Sequence, residues 1–225
     1  MSDNPFDLKF EDLSAELPLF PLNGVLLLPH GRLPLNIFEP RYLNMVEYAL
    51  AHQRLIGIVQ PMEDGQAGLS VPDATALYQA GCAGRITSFQ ESSSGQLQLT
   101  LRGVCRFNIV DELPLLNGFR RTRPDYSPYK NDFSTDDSTT IDRPRLLSDL
   151  KAYFEMENIE ADWETIEQTP DDRLVSTLAM VCPFEPNEKQ ALLESANLAH
   201  RCKLIIGLIE AVLRRDDDGG TAAMN

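Results

Sequence analysis

The chain of 225 residues is 43% hydrophobic and 24% charged, the composition of a globular protein with a core to bury. Thirty-four Asp and Glu against twenty Lys and Arg leave a net charge of −14, and both halves share the excess, with 13 acids against 7 bases in residues 1–112 and 21 against 13 in residues 113–225. The phosphate neutralisation that drives nucleic-acid binding is therefore missing as a global property, and no basic module is hidden inside an acidic average.

Residues 1–16 are polar and acidic and read as a flexible leader. Asp3 and Asp7 stand where a secretory signal needs a basic start, so the expected location is the cytoplasm. From Leu17 the chain alternates short apolar runs with turns: Leu17 to Leu22, Asn23-Gly24, Val25 to Leu28, then Pro29-His30-Gly31. Prolines at 18, 21, 29 and 34 forbid a helix and confine any strand to an edge, a start or a bend. Pro40 suits a first helical position, and Tyr42, Leu43, Met45, Val46 and Leu50 then recur at helical spacing, which predicts a helix over residues 40–52. Leu55 to Val59 is short and wholly apolar, a buried strand; residues 62–76 read as a loop.

Strict alternation over Gln96 to Arg102, after a Ser92-Ser93-Ser94-Gly95 turn and an earlier strand at Gly84 to Phe89, predicts a hairpin. Its apolar face continues through Cys105, Phe107 and Ile109, with Gly103 on that face lacking a side chain, which is how a strand bends or bulges so that a sheet can curl into a barrel. The barrel subdomain is assigned to residues 17–130, with one helix, and the proline- and aspartate-rich stretch ends in a linker at 131–142. Helices follow in residues 143–215: one capped by Asp142, one starting at Thr169-Pro170-Asp171-Asp172 and stopped by Pro183, one from Pro186, and a last carrying Leu198, Cys202, Ile205 and Ile209. Residues 216–225 read as a disordered tail. The longest late apolar stretch, Leu204 to Leu213, contains Glu210 and falls far short of the roughly 20 residues a membrane span needs.

Leu17-Pro18-Leu19-Phe20-Pro21-Leu22, Val25 to Pro29 and Leu33-Pro34-Leu35-Asn36-Ile37-Phe38-Glu39-Pro40-Arg41-Tyr42 together closely resemble the opening of the Lon protease N-terminal domain family. Ile56 to Val59, Gly81 to Ile86 and Gly103 to Phe107 are similar to that family's barrel, and Glu188-Lys189-Gln190 and Leu192-Leu193-Glu194 before Arg201 to its helical part. The resemblance covers about residues 15–213. It implies an α+β fold, a PUA-like β-barrel followed by a small C-terminal helical bundle. It also implies a substrate-recognition module that stands without the ATPase and peptidase domains, and a polypeptide or protein partner.

The residues themselves carry little chemistry. None of the five lysines, Lys9, Lys130, Lys151, Lys189 and Lys203, follows a glycine, so no phosphate-cradling G-x-x-x-x-G-K loop is present, and no nucleotide or other cofactor is expected. His30, His52 and His200 lie in different elements without metal-ligand spacing, Cys82, Cys105, Cys182 and Cys202 form no C-x-x-C pair, and no serine sits in G-x-S-x-G. A non-catalytic role follows; a cryptic hydrolase built from distant residues is the alternative that geometry alone defines. Glu39 and Arg41 suit a helix start and a tie to the barrel, and Asp216-Asp217-Asp218 a solvated tail.

Arg120, Arg121 and Arg123, followed by Tyr126 and Tyr129, form the one basic and aromatic cluster. It reads as a contact strip for an acidic or unfolded polypeptide, placed in a groove near the subdomain boundary with Phe119 and Phe133, or for RNA, since PUA-like barrels elsewhere bind RNA. The competing reading is a charged edge strand whose arginines block edge-to-edge pairing.

Overall fold

The computed structural model describes residues 8–62, 71–92, 95–134 and 140–222. The start of the expected leader, most of the 62–76 loop, Ser93 and Ser94 of the hairpin turn, the middle of the linker and the last three residues of the tail lie outside these. The chain divides into two compact units, Met1–Thr135 and Asp136–Asn225.

In the first unit, strands β1 (Leu17–Pro21), β2 (Arg32–Ile37), β3 (Leu55–Val59), β4 (Ala80–Glu91), β5 (Leu97–Leu116) and β6 (Phe119–Asp125) form one sheet in the order β2-β5-β4-β3-β1-β6. Because β5 also pairs with β6, the sheet curls into a ring, with β2 flanking the first half of β5. All neighbours are antiparallel except β1 and β3, which helix α1 (Pro40–Ala51) helps to connect. The two prolines of β1 fit an interior strand because the pairings are offset: Pro18 pairs only towards β6 and Pro21 only towards β3. Pro34 occupies the flanking strand, as a residue without a ladder N–H must.

Length lets β5 serve both halves of the ring, and bulges let it bend. Ala83 pairs with Cys105 but Gly84 with Gly103, so Val104 is an extra residue. At the far end, Leu116 and Phe119 close a two-residue hairpin through Asn117 (φ 49°) and Gly118 (φ 85°), the pair of left-handed residues that matches the twist of antiparallel strands. One buried cluster gathers Leu17, Leu19, Leu55, Val59, Ala83, Cys105, Phe107 and Tyr126. Leu8, Phe10 and Leu13 pack against it, and Phe10 meets Phe133 edge to face at 5.8 Å. The later part of the expected loose leader is thus folded onto the barrel, because its scattered apolar residues pack against the buried cluster.

The second unit contains α2 (Arg143–Met156), α3 (Trp163–Gln168), α4 (Asp171–Val181), α5 (Pro186–Leu193) and α6 (Leu198–Ala222). Asp142 caps α2 by accepting from the Arg145 amide at 3.2 Å, and Leu146, Leu150 and Tyr153 line its buried face. The short α3 lies where no element was expected; Asp162 caps it by accepting from the Thr165 amide. Arg201, buried between α5 and α6, donates from Nε to the Leu192 carbonyl at 2.9 Å and satisfies an orphan acceptor at the α5 C-terminus.

Candidate polypeptide-binding strip

Strand β6 carries the basic cluster, and its alternation sends the arginines in different directions. Arg120 is buried: its Nε donates to Glu112 Oε2 at 2.7 Å and its Nη1 to the Thr75 carbonyl at 2.7 Å, so it ties β6 to β5 and to the chain before β4. Arg121 is half-buried and reaches Glu16 at 2.9 Å. Arg123 is exposed, with Asp111 at 3.5 Å. Each arginine of the cluster thus faces its own carboxylate, and the local positive field is largely cancelled.

The tyrosines are divided in the same way. Tyr126 belongs to the core, edge-on to Phe107 with centroids 6.2 Å apart, and burial holds its hydroxyl far above the ordinary phenol range. Tyr129 is partly buried: its ring lies under the Arg106 guanidinium at 4.6 Å and its hydroxyl donates to Asn108 Oδ1 at 3.0 Å. Arg106 is itself buried and forms a two-pronged pair with Asp132, whose carboxylate also accepts from the Arg106 backbone amide at 2.9 Å. Burial lowers the Arg106 pKa, but the hydrogen bonds and charge of Asp132 outweigh it, and the guanidinium stays charged. This clasp holds the 3₁₀ turn Ser127–Phe133 against β5.

Of the five residues, Arg121, Arg123 and Tyr129 therefore retain some surface, while Arg120 and Tyr126 are held inside. Phe119, expected in a groove, is fully buried with its ring 5.5 Å from that of Tyr48 on α1. Beyond the strip, residues 8–11, 130–131 and 133–134 border a shallow depression of about 430 Å³, with Lys9, Lys130, Phe10 and Phe133 among its lining residues. Arg41, at the start of α1, pairs with Glu39 at 3.1 Å and Asp73 at 2.7 Å and donates to the Val71 carbonyl, a structural role.

The buried thiols are poor nucleophiles. Burial pushes Cys105 up to about 12 and Cys182 and Cys202 up to about 11, and Cys82 is raised as well. Among the described residues no three His, Cys, Asp or Glu side chains come together in a way that could hold a metal ion, and no helix is long and apolar enough to cross a membrane.

Residues 16–211 match the model of the substrate-binding domain of ATP-dependent protease La, or Lon. The chain belongs to that family. It is similar to a Lon protease of Anaeromyxobacter dehalogenans, 26% identical over 209 residues, which is 91% of this chain and 24% of that protein. A Lon protease 2 of Myxococcus xanthus is 28% identical over 210 residues, 88% of this chain and 24% of the other. The chain thus spans about a quarter of the length of these relatives. Its fold resembles that of a Lon N-terminal domain protein from Xanthomonas campestris, with a TM-score of 0.57 and 23% identity over 85% of this chain and 97% of that one. It also resembles the N-terminal domain of Mycobacterium avium complex Lon protease, with a TM-score of 0.60 and 15% identity over 87% and 98% of the two chains. The Lon-type domain placed in the sequence by its proline-rich opening is the domain present, and the α+β architecture of a curled sheet followed by helices agrees with it.

Proposed function

We propose that this chain is a non-catalytic polypeptide-binding module of the Lon type, which engages exposed segments of client or partner proteins in the cytoplasm as part of protein quality control. The family match over residues 16–211 carries the reading. The accessible part of the strip, exposed Arg123 and half-buried Arg121, supplies one contact surface for a client. Nucleic acid is disfavoured, because each arginine of the strip is matched by a carboxylate and the chain as a whole is strongly acidic.

The test measures binding of the full chain to a permanently unfolded model protein, reduced and alkylated lactalbumin, against its native form, by fluorescence anisotropy. Binding of the unfolded form at micromolar level, weakened by Arg121→Ala with Arg123→Ala, is the expected result. No preference for the unfolded protein refutes the module, and full binding by the double variant removes the strip from it. Casein turnover would establish the hydrolase instead.

A further inference from the structure

Strand β2 ends the order of the sheet, and among the described residues no strand pairs with its outer edge. Pro34 faces Thr100 of β5. Lacking an N–H, Pro34 must sit at a position whose main chain points outward, and Arg32 and Asn36, two residues to either side, share that direction. The edge therefore offers the N–H and C=O of Arg32, the C=O of Pro34 and the N–H and C=O of Asn36.

The side chains beside this edge are sorted by charge. Arg32 is opposite Arg102, and Arg102 is opposite Arg85, so three arginines stand in one row across β2, β5 and β4. Like charges facing each other across strands oppose pairing. Arg32 and Arg102 are exposed, and no carboxylate among the described residues pairs with either. The following rows on the same face hold Pro34, Thr100 and Ser88, then Asn36, Gln98 and Gln90, with no acid. An acid-free face with three arginines in register is conspicuous in a chain of net charge −14. On the other face of the same strands, Leu33 and Leu35 are half-buried and Phe89, in the row of Leu35 and Leu99, is 54% exposed.

We infer that the outer edge of β2 receives an extended polypeptide segment in which acidic residues alternate with apolar ones, added as a further antiparallel or parallel strand. Main-chain bonds to Arg32 and Asn36 hold the segment, its carboxylates meet the exposed Arg32 and Arg102, and its apolar side chains extend the Leu33 and Leu35 face. Pro34 leaves the edge two N–H donors, at Arg32 and Asn36, which restrains self-pairing of copies of this chain while leaving room for a charge-matched strand. The inference rests on the polypeptide-binding reading and names the class of segment recognised at a second surface.

The experiment titrates the full chain with a fluorescent ten-residue peptide alternating Glu or Asp with Val or Leu, with a Lys-for-acid version and a single-stranded RNA of similar length as comparisons. The acidic peptide binds, its affinity falls with salt, and the Lys version fails to bind. Arg32→Glu with Arg102→Glu lowers affinity about tenfold or more. Asn36→Pro, which removes an outward N–H without removing a ladder bond, lowers it as well. Both variants retain the melting temperature of the parent within a few degrees, which separates lost binding from lost fold. Equal binding by parent and charge-reversed chain, binding of RNA in preference to the acidic peptide, or insensitivity to Asn36→Pro overturns the strand-addition site. Unfolded lactalbumin measured with the same variants reads the broader function separately: capture that persists in them leaves the module standing without this edge.

Discussion

At Gly103 the limit on side chains comes from space. A Cβ built there would lie 2.0 Å from the Leu28 carbonyl oxygen, and both strands are bonded at this point, His30 N–H to the Gly103 carbonyl and Gly103 N–H to the Gly31 carbonyl, each at 2.9 Å. The bulge foreseen from the sequence is present beside it, yet Gly103 is not among the residues of positive φ; what the position excludes is any atom between two main chains. Even Gly103→Ala should therefore cost about 2–3 kcal/mol, because a backbone carbonyl cannot swing aside as a side chain can. Urea denaturation checks it, and a midpoint equal to that of the parent would show that Leu28 to Gly31 yields freely. The same residue scale explains why the surroundings of the proposed strip were only partly legible. Alternation of charge and aromaticity over Arg120 to Tyr129 marks a strand that leaves a turn, but it does not say that Glu112, Glu16 and Asp111 will arrive opposite the arginines from three other places in the chain.

Among the elements, the 3₁₀ turn Ser127–Phe133 illustrates a segment held by electrostatics as much as by burial. Asp132 gives its carboxylate to the side chain and the main chain of Arg106, and Arg106 covers Tyr129. Asp132→Ala removes the carboxylate that neutralises a buried guanidinium and should cost about 3–5 kcal/mol, whereas replacing Arg106 by Met in the same chain should recover part of the loss. Chemical denaturation of the two variants and the parent decides this; a single variant no less stable than the double one would mean that water reaches Arg106. The helices of the second unit and the strands up to β5 were readable because caps, prolines and periodicity are local signals. Strand β6 reads in the sequence only as a charged edge strand, whereas it closes the ring by pairing with both β1 and β5; Asn117-Gly118, an Asn-Gly hairpin signal, stands just before it. The short α3 escaped because six residues carry too little periodicity to register, even with Asp162 as a cap.

For the molecule as a whole, the buried thiols and phenols make alkaline pH the direction of weakness. Burial raises Cys105 and Tyr42 to about 12 and Cys182 and Cys202 to about 11, against ordinary values near 9 for the thiols and 10 for the phenol. Because the folded chain holds these protons more tightly than the unfolded one, their stabilisation is complete below about pH 9 and is lost progressively as pH rises towards 11 and 12. Melting temperature followed by circular dichroism should be level up to about pH 9 and then fall, and Cys105→Ala, if it folds, should flatten part of that fall. A melting temperature that stays level to pH 11 would mean that these groups are hydrated in the folded chain.

The pairing of β1 with β6 has a further consequence, for the chain as it is being made. Leu17 meets Thr122, so the first strand waits for roughly a hundred residues of synthesis before its second neighbour exists. Its parallel partner β3 emerges much sooner, but until Arg120 and Thr122 leave the ribosome the edge of β1 around Leu17 and Leu19 is an apolar strand with unmet hydrogen bonds. A member of the Lon substrate-binding domain family thus passes through a stage in which it presents an exposed segment of its own.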